Sequence, residues 1–143
     1  MTPRQIQLVK SSFAKIAPIK DQAAALFYRR LFELDPDLRP LFKGDMAAQG
    51  AKLMAALGRV VASLDQLARV LPAIRQLGRR HAAYGVRPEH YATVGEALIW
   101  TLEQGLGADF TPATRRAWID AYAGLAWVMI AAVEEPEAPA QAA

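Results

Sequence analysis

His81 is one of only two histidines in this 143-residue chain, and it lies in Leu77-Gly-Arg-Arg-His81-Ala-Ala-Tyr-Gly-Val86, near the end of a segment with helical spacing. Imidazole is the commonest protein metal ligand, and a helix can aim it into an apolar pocket. A lone histidine also packs against helix ends or caps them, and this stretch alone leaves both readings open. Around it Arg69, Arg75, Arg79, Arg80 and Arg87 fall between Asp65 and Glu89 with no acid among them. That cluster is either a solvated basic face or a set of partners for carboxylates. His90 does not complete a two-histidine metal site, because Gly85 and Pro88 intervene and the two cannot share a helix face. It reads as a solvated residue in the first turn of the following helix.

Other chemistries lack their residues. With no cysteine, disulfides, thiolate metal sites and cysteine nucleophiles are out. Gly105-Leu-Gly107 has no third glycine in register and ends a helix where a phosphate loop would begin one. Ser11, Ser12 and Ser63 have neither a Gly-x-Ser-x-Gly elbow nor a neighbouring histidine. Glu96, Glu103 and Asp120 are scattered over polar faces, and nothing pairs them for acid–base work. The net charge is only +3 and the basic excess is confined to residues 69–87, so nucleic acid is not an expected partner. Apolar residues make up 53% and charged residues 22%, which suits one domain with a full core. Met1-Thr-Pro-Arg-Gln has no apolar signal core, and charged residues interrupt every run approaching the ~18 residues of a membrane span. No membrane association and a cytoplasmic location are expected.

The elements that must position these residues read as helices throughout. Thr2-Pro3-Arg4-Gln5 is a helix start, with Thr as N-cap, Pro in the first turn and Gln three residues after the cap. Ile6, Val9, Phe13 and Ile16 continue it to about Ala17, and Pro18 ends it. Asp21 opens a second helix with Ala24, Phe27, Tyr28, Leu31 and Leu34 on its inner face. Pro36 and Pro40 confine the next segment, through Phe42, to a short helix or tight turn. Asp45 caps a third helix, whose line of Gln49, Leu53, Leu57, Val60 or Val61, and Leu64 is an apolar face interrupted by an amide. Pro72 starts a fourth helix that carries His81 and ends by Gly85. Pro88 starts a fifth with Tyr91, Val94, Leu98 and Leu102, stopped by Gly105 and Gly107. Thr111-Pro112 starts a sixth with Trp118, Tyr122, Leu125 and Met129 on one face. The fold class is all-α: six longer helices and a short proline-bounded one, in a domain of residues 1–133. The tail 134–143 is expected to be disordered.

One strong ligand, His81, is thus set against a helix carrying Gln49 and Leu53, with Tyr28 and Phe42 coming from earlier elements. A metal held by one side chain needs its other positions filled by something the chain does not supply. A porphyrin gives four nitrogens in a plane and leaves two axial sites. Its propionates would give the arginines a use. In these residues the chain resembles the single-domain bacterial globins and the haem domain of flavohaemoglobins. The likeness covers roughly residues 4–133 and rests on Leu26-Phe-Tyr28, Leu38-Arg-Pro-Leu-Phe42, Gln49 through Leu53, His81, Tyr91-Ala-Thr-Val-Gly95-Glu-Ala-Leu98 and Ala117-Trp-Ile-Asp-Ala-Tyr122. It implies a globin fold around one haem b, with His81 as the proximal iron ligand and Phe42 wedged against the porphyrin face. Tyr28 and Gln49 become the distal pair above the open iron site, and Leu53 lies beside the bound gas. Leu57, Leu77, Val86, Tyr91 and Val94 line the porphyrin, and Arg80 is the cation assigned to a propionate.

The same resemblance implies O2, NO and CO as ligands. A hydrogen bond to a partly charged acceptor is worth ~1.5–3 kcal/mol, so Tyr28 and Gln49 predict tight oxygen binding and slow release. That suits scavenging or nitric oxide detoxification better than transport. Nitric-oxide dioxygenase activity would need electrons from a separate reductase. A gas or redox sensor acting through a partner and a haem-free helical interaction protein are the remaining alternatives. The chain departs from flavohaemoglobins on the proximal side, where a tyrosine and a late glutamate flank the histidine. Tyr91 matches the tyrosine, but the glutamate position falls on Val133, with Glu134 next and turned about 100° away. His81 is therefore expected to be held by a backbone carbonyl.

Overall fold

The computed structural model describes residues 1–134; the expected disordered tail lies, from residue 135 onward, outside the described residues. Helix α1 (Pro3–Ile16) begins on a capping box: the Gln5 N–H donates to the Thr2 hydroxyl at 3.1 Å, and the Thr2 N–H donates to Gln5 Oε1 at 3.0 Å. A 3-10 turn, Ala17–Ile19, leads into α2 (Lys20–Leu34), which starts one residue ahead of Asp21. The proline-bounded segment is a 3-10 helix, Pro36–Leu41. Asp45 caps α3 (Met46–Ala62) by accepting the Ala47 N–H at 3.1 Å. After a 3-10 turn at Leu64–Gln66 come α4 (Leu67–Ala83), α5 (Pro88–Leu106) and α6 (Pro112–Glu134).

Pro72 does not start α4; it lies inside the helix, which begins at Leu67. The 3-10 turn before it delivers the chain already wound. The missing proline N–H costs only the bond to the Ala68 carbonyl, on an exposed residue where solvent can replace it. Gly105 likewise lies within α5, and the stop is Gly107 at φ +55°. Glu134, assigned to the tail, is still helical. The α6 helix also corrects the membrane reading. It is long and apolar enough, by length and composition, to cross a membrane. Here Ala117, Trp118, Ala126, Met129 and Ala132 are buried, and α6 packs on α4, α1 and α5.

The core runs through Val9, Ile16, Phe27, Leu31, Leu98, Leu102 and Trp118. Two polar bonds tie the first helix to the last. The Trp118 indole N–H donates to Ser12 Oγ at 2.8 Å in the interior, and Gln5 Nε2 donates to Asp120 Oδ2 at 2.8 Å. The α2 helix packs on α5 and α3, while α4 packs chiefly on α6. Among the described residues α3 and α4, though consecutive, make at most marginal contact. They are two walls separated by a cleft.

That cleft explains the third helix. Its buried residues are Gly50, Met54 and Val61, while Gln49, Leu53, Leu57 and Val60 are only half-buried. The line through Gln49 borders the core, with Leu53, Leu57 and Val60 packed against it from one side.

Candidate functional site

His81 stands in the last turn of α4. Its Nδ1 lies 2.8 Å from the Leu77 carbonyl oxygen, one helical turn back. A ring nitrogen facing a carbonyl oxygen carries the proton, and in the neutral ring that tautomer leaves the lone pair on Nε2. That is the usual second partner of a metal-binding histidine. The carbonyl holds His81 as expected, with no carboxylate bonded to it among the described residues; Glu134 is exposed at the end of α6. The chain then turns sharply at Gly85, φ +100°, and the Val86 N–H donates to the His81 carbonyl at 3.0 Å. Val86 is thereby folded back toward the histidine's helix.

The height of α4 is set by Gly78, three residues before His81. A Cβ there would stand 2.7 Å from Met129 Cα, against the α6 backbone. No side chain fits between the two helices at that point.

The opposite wall is set by a similar approach. A Cβ on Gly50 would lie 2.9 Å from the Ala24 Cβ, so α2 and α3 cross almost in backbone contact. Tyr28, one turn along α2 from Ala24, is thereby brought to Gln49 on α3. The Gln49 side chain is near enough to act on the Tyr28 hydroxyl. Tyr28 is 6% exposed. Burial raises its pKa above the ordinary value, and the Gln49 side chain pulls the other way. Its ring meets Phe27 at 5.0 Å, Phe42 at 5.2 Å and Phe32 at 6.1 Å between centroids. Phe42 is held at the corner because its N–H donates to the Arg39 carbonyl and its own carbonyl accepts from Arg39 Nη1, both at 3.1 Å.

Leu53, Leu57, Leu77, Val86, Tyr91 and Val94 are all half-buried. Half-buried aliphatic residues on α3, α4 and α5 are what an apolar slot between α3 and α4 would use, while Tyr91 also borders the groove between α5 and α6. Behind Leu53 and Leu57 a small void of about 20 Å³ reaches Phe27, Leu98 and Trp118. Arg80 is exposed beside His81. Among the described residues no three His, Cys, Asp or Glu side chains gather to hold a metal by themselves. His90 differs from its reading as a solvated residue: it is half-buried, and its Nδ1 accepts the Arg87 N–H at 2.9 Å as a cap for α5.

Sequence reasoning placed Tyr122 on the inner face of the last helix without its partner, the Tyr91 carbonyl, to which its hydroxyl donates at 2.7 Å, and it passed over Arg30, whose guanidinium lies 5.3 Å from the Trp100 ring centroid. Gly95, opposite Tyr122, was a signal for the first. Nothing in the spacing pointed to the second.

A histidine on one helix wall facing half-buried leucines and a tyrosine–glutamine pair on the other suits a helical protein built around a flat prosthetic group. Residues 25–129 match the Globin family model, and the chain belongs to the globin family. Neuroglobin of Tetraodon nigroviridis is 29% identical over 136 residues, covering 85% of this chain and 86% of its own. Flavohemoprotein of Bacillus subtilis is 29% identical over 126 residues, and the chain spans only 32% of its length. A Rhodothermus marinus structure, a candidate nitric oxide dioxygenase engineered as a carbene transferase, superposes with TM-score 0.83 at 31% identity, over 94% of each chain. A bacterial globin of Campylobacter jejuni has the same fold, with TM-score 0.80 at 24% identity over 93% of this chain and 96% of its own. Globin membership implies a haem, and the free Nε2 of His81 and the apolar slot suit one.

Proposed function

We propose that this chain is a gas-binding globin that holds haem b between α3 and α4. His81 Nε2 is the proximal ligand, and Phe42, Leu53, Leu57, Leu77, Val86, Tyr91 and Val94 line the slot. Bound there, the haem would supply an iron atom able to take O2, NO or CO. Arg80 offers its guanidinium to a propionate at the exposed rim. The Leu77 carbonyl fixes the His81 ring and its tautomer, so Nε2 needs no reorientation to ligate.

Tyr28 and Gln49 act on the distal side. With the Gln49 amide donating to the phenol oxygen, the Tyr28 proton is left for a ligand in the open position. The three aromatic rings around Tyr28 keep water away and restrict its rotation. This donor pair is the observation that carries the reading, because a donor inside an apolar slot slows ligand escape. The proposal is therefore an oxygen-binding or scavenging protein with slow release, and not a transporter that unloads readily. The absence of cysteine suits a cytoplasmic setting.

A second reading, nitric-oxide dioxygenase, is favoured by the flavohemoprotein and Rhodothermus likenesses. Turnover then calls for an external electron donor or reductase, and it is distinguished by nitrate formed over many cycles with a supplied reductant.

The visible spectrum of the purified protein is the first test, recorded as isolated, after dithionite and after carbon monoxide. A strong porphyrin band that shifts at each step is expected; a protein that stays colourless after haem addition overturns the reading. Tyr28→Phe removes one hydrogen bond to a charged acceptor, worth ~1.5–3 kcal/mol, so oxygen release should quicken by about ten- to a hundredfold. An unchanged rate in stopped flow would take Tyr28 out of the mechanism.

A further inference from the structure

The two helices that flank the cleft carry a charge unlike the rest of the chain. Between Met46 and Pro88 there are seven lysines and arginines and a single acid, Asp65. That acid is already engaged, its carboxylate lying 3.2 Å from Lys10 Nζ on α1. From Glu89 to Glu134 the balance reverses, with two arginines against six acids. The modest net charge of +3 therefore conceals a strongly basic side, at α3 and α4, and an acidic one, at α5 and α6.

The cations stand on exposed lines beside the residues assigned to the slot. On α3, Lys52 and Arg59 are exposed and seven residues apart, two turns on one line, and Lys52 adjoins Leu53. On α4, Arg69 and Arg80 are exposed and eleven residues apart, three turns on one line, and Arg80 adjoins His81. Arg69 Nη1 donates to Gln66 Oε1 at 2.8 Å, a neutral partner that leaves the charge unopposed.

Opposed charges on two sides of a molecule turn the basic side toward an anionic partner and raise the rate of encounter. A membrane surface would want exposed apolar residues beside the cations. Here Ile119, Trp127 and Val133 are exposed on α6, the acidic side, leaving only Leu67 and Tyr84 near the arginines. Tyr84 is the one aromatic residue between Met46 and Pro88, too few to stack successive bases of a nucleic acid.

We propose that the basic lines of α3 and α4 dock an acidic one-electron carrier protein, of the flavin or iron–sulfur kind, over the cleft. Contacts of that kind are small, transient and steered by charge. The carrier gives up one electron and the ferric iron takes it up, with no bond made or broken. This inference rests on the gas-binding reading and names the donor that its dioxygenase form calls for.

An acidic flavodoxin serves as the probe. Titrated in its oxidised form into the 15N-labelled full chain under carbon monoxide, it should shift amide resonances of α3 and α4 and leave those of α6 in place. Raising salt from about 0.01 M to 1 M, which shortens the screening length from about 30 Å to 3 Å, should abolish the shifts. Lys52→Glu combined with Arg69→Glu should weaken binding at least ~10-fold, with helical circular dichroism unchanged. Arg115→Glu combined with Arg116→Glu, the same change of net charge on exposed residues of α6, should leave binding near the parent's. Shifts that map to α5 and α6, binding indifferent to salt, or equal loss in the two double variants would overturn the proposal. So would no binding at low salt, or tighter binding to phosphatidylglycerol vesicles or a short DNA duplex than to flavodoxin. Dithionite keeps the two failures apart: a spectrum that shifts on its addition leaves the haem reading standing when docking fails, and a colourless chain removes both.

Discussion

Both walls of the cleft are positioned by a glycine at a helix crossing, and the two crossings differ in what the glycine faces. Gly50 on α3 faces the Ala24 methyl, a side chain that mutation can remove. Gly78 on α4 faces the backbone of α6 at Met129, which mutation cannot remove. The distal wall is thus adjustable: its polar pair, Tyr28 and Gln49, sits on a crossing that can be retuned by trading methyl groups. The proximal wall has no such freedom. A histidine that must keep one ring nitrogen on the Leu77 carbonyl and the other pointed across the gap is placed on the more rigid of the two.

Gly78→Ala should bring the largest loss, about 3 kcal/mol of unfolding free energy, because α4 must lift off α6 and take His81 with it. Denaturant melts, together with the rate of haem loss to an acceptor protein, would read this. A variant as stable as the parent would mean that the crossing is loose. Gly50→Ala should fall within about 1 kcal/mol of the parent, since overpacking against Ala24 is offset by the gain in helix propensity. Combining it with Ala24→Gly should relieve the clash. If that pair does no better than Gly50→Ala alone, the contrast between side chain and backbone fails.

The buried tyrosines extend the comparison to smaller effects. Tyr122→Phe loses one bond to the Tyr91 carbonyl, about 1 kcal/mol, and should leave oxygen release unchanged where Tyr28→Phe accelerates it. It should also change the alkaline limit. Burial raises the pKa of Tyr28, Tyr91 and Tyr122 above the usual 10.0. Stability that depends on their neutral forms is complete below pH 10 and falls as pH climbs toward the raised values, because the unfolded chain loses these protons first. Melting temperature followed from pH 9 upward should therefore decline less steeply in Tyr122→Phe than in the parent, about one ionisation's worth.

Much of the fold was legible because helix starts are local. Thr2-Pro3, Asp45 and Arg87-Pro88 mark real N-termini, each fixed by side chains within three residues of the cap. Pro72 misled because the same residue also fits inside a helix wound by a preceding turn, which spacing does not reveal. The third helix shows a deeper limit. Gln49, Leu53 and Leu57 recur like core residues, and periodicity cannot tell a face that packs on protein from one that lines a slot. The amide among the leucines was the only mark of the difference. That Tyr28 meets Gln49 follows from the Ala24–Gly50 crossing, which no local pattern encodes.

The hydrogen bond between Trp118 and Ser12 also bears on the order of synthesis. Ser12 satisfies its own hydroxyl proton on the Leu8 carbonyl, at 2.6 Å, within α1, which is made before α6. The Trp118 indole N–H has no such local acceptor; it needs Ser12, made more than a hundred residues earlier. The dependence runs one way. The first helix can wait without an unmet polar group, whereas the last cannot bury its indole until the first is in place. A nascent chain is therefore biased to keep α1 ready and to close this part of the core only once α6 has been made.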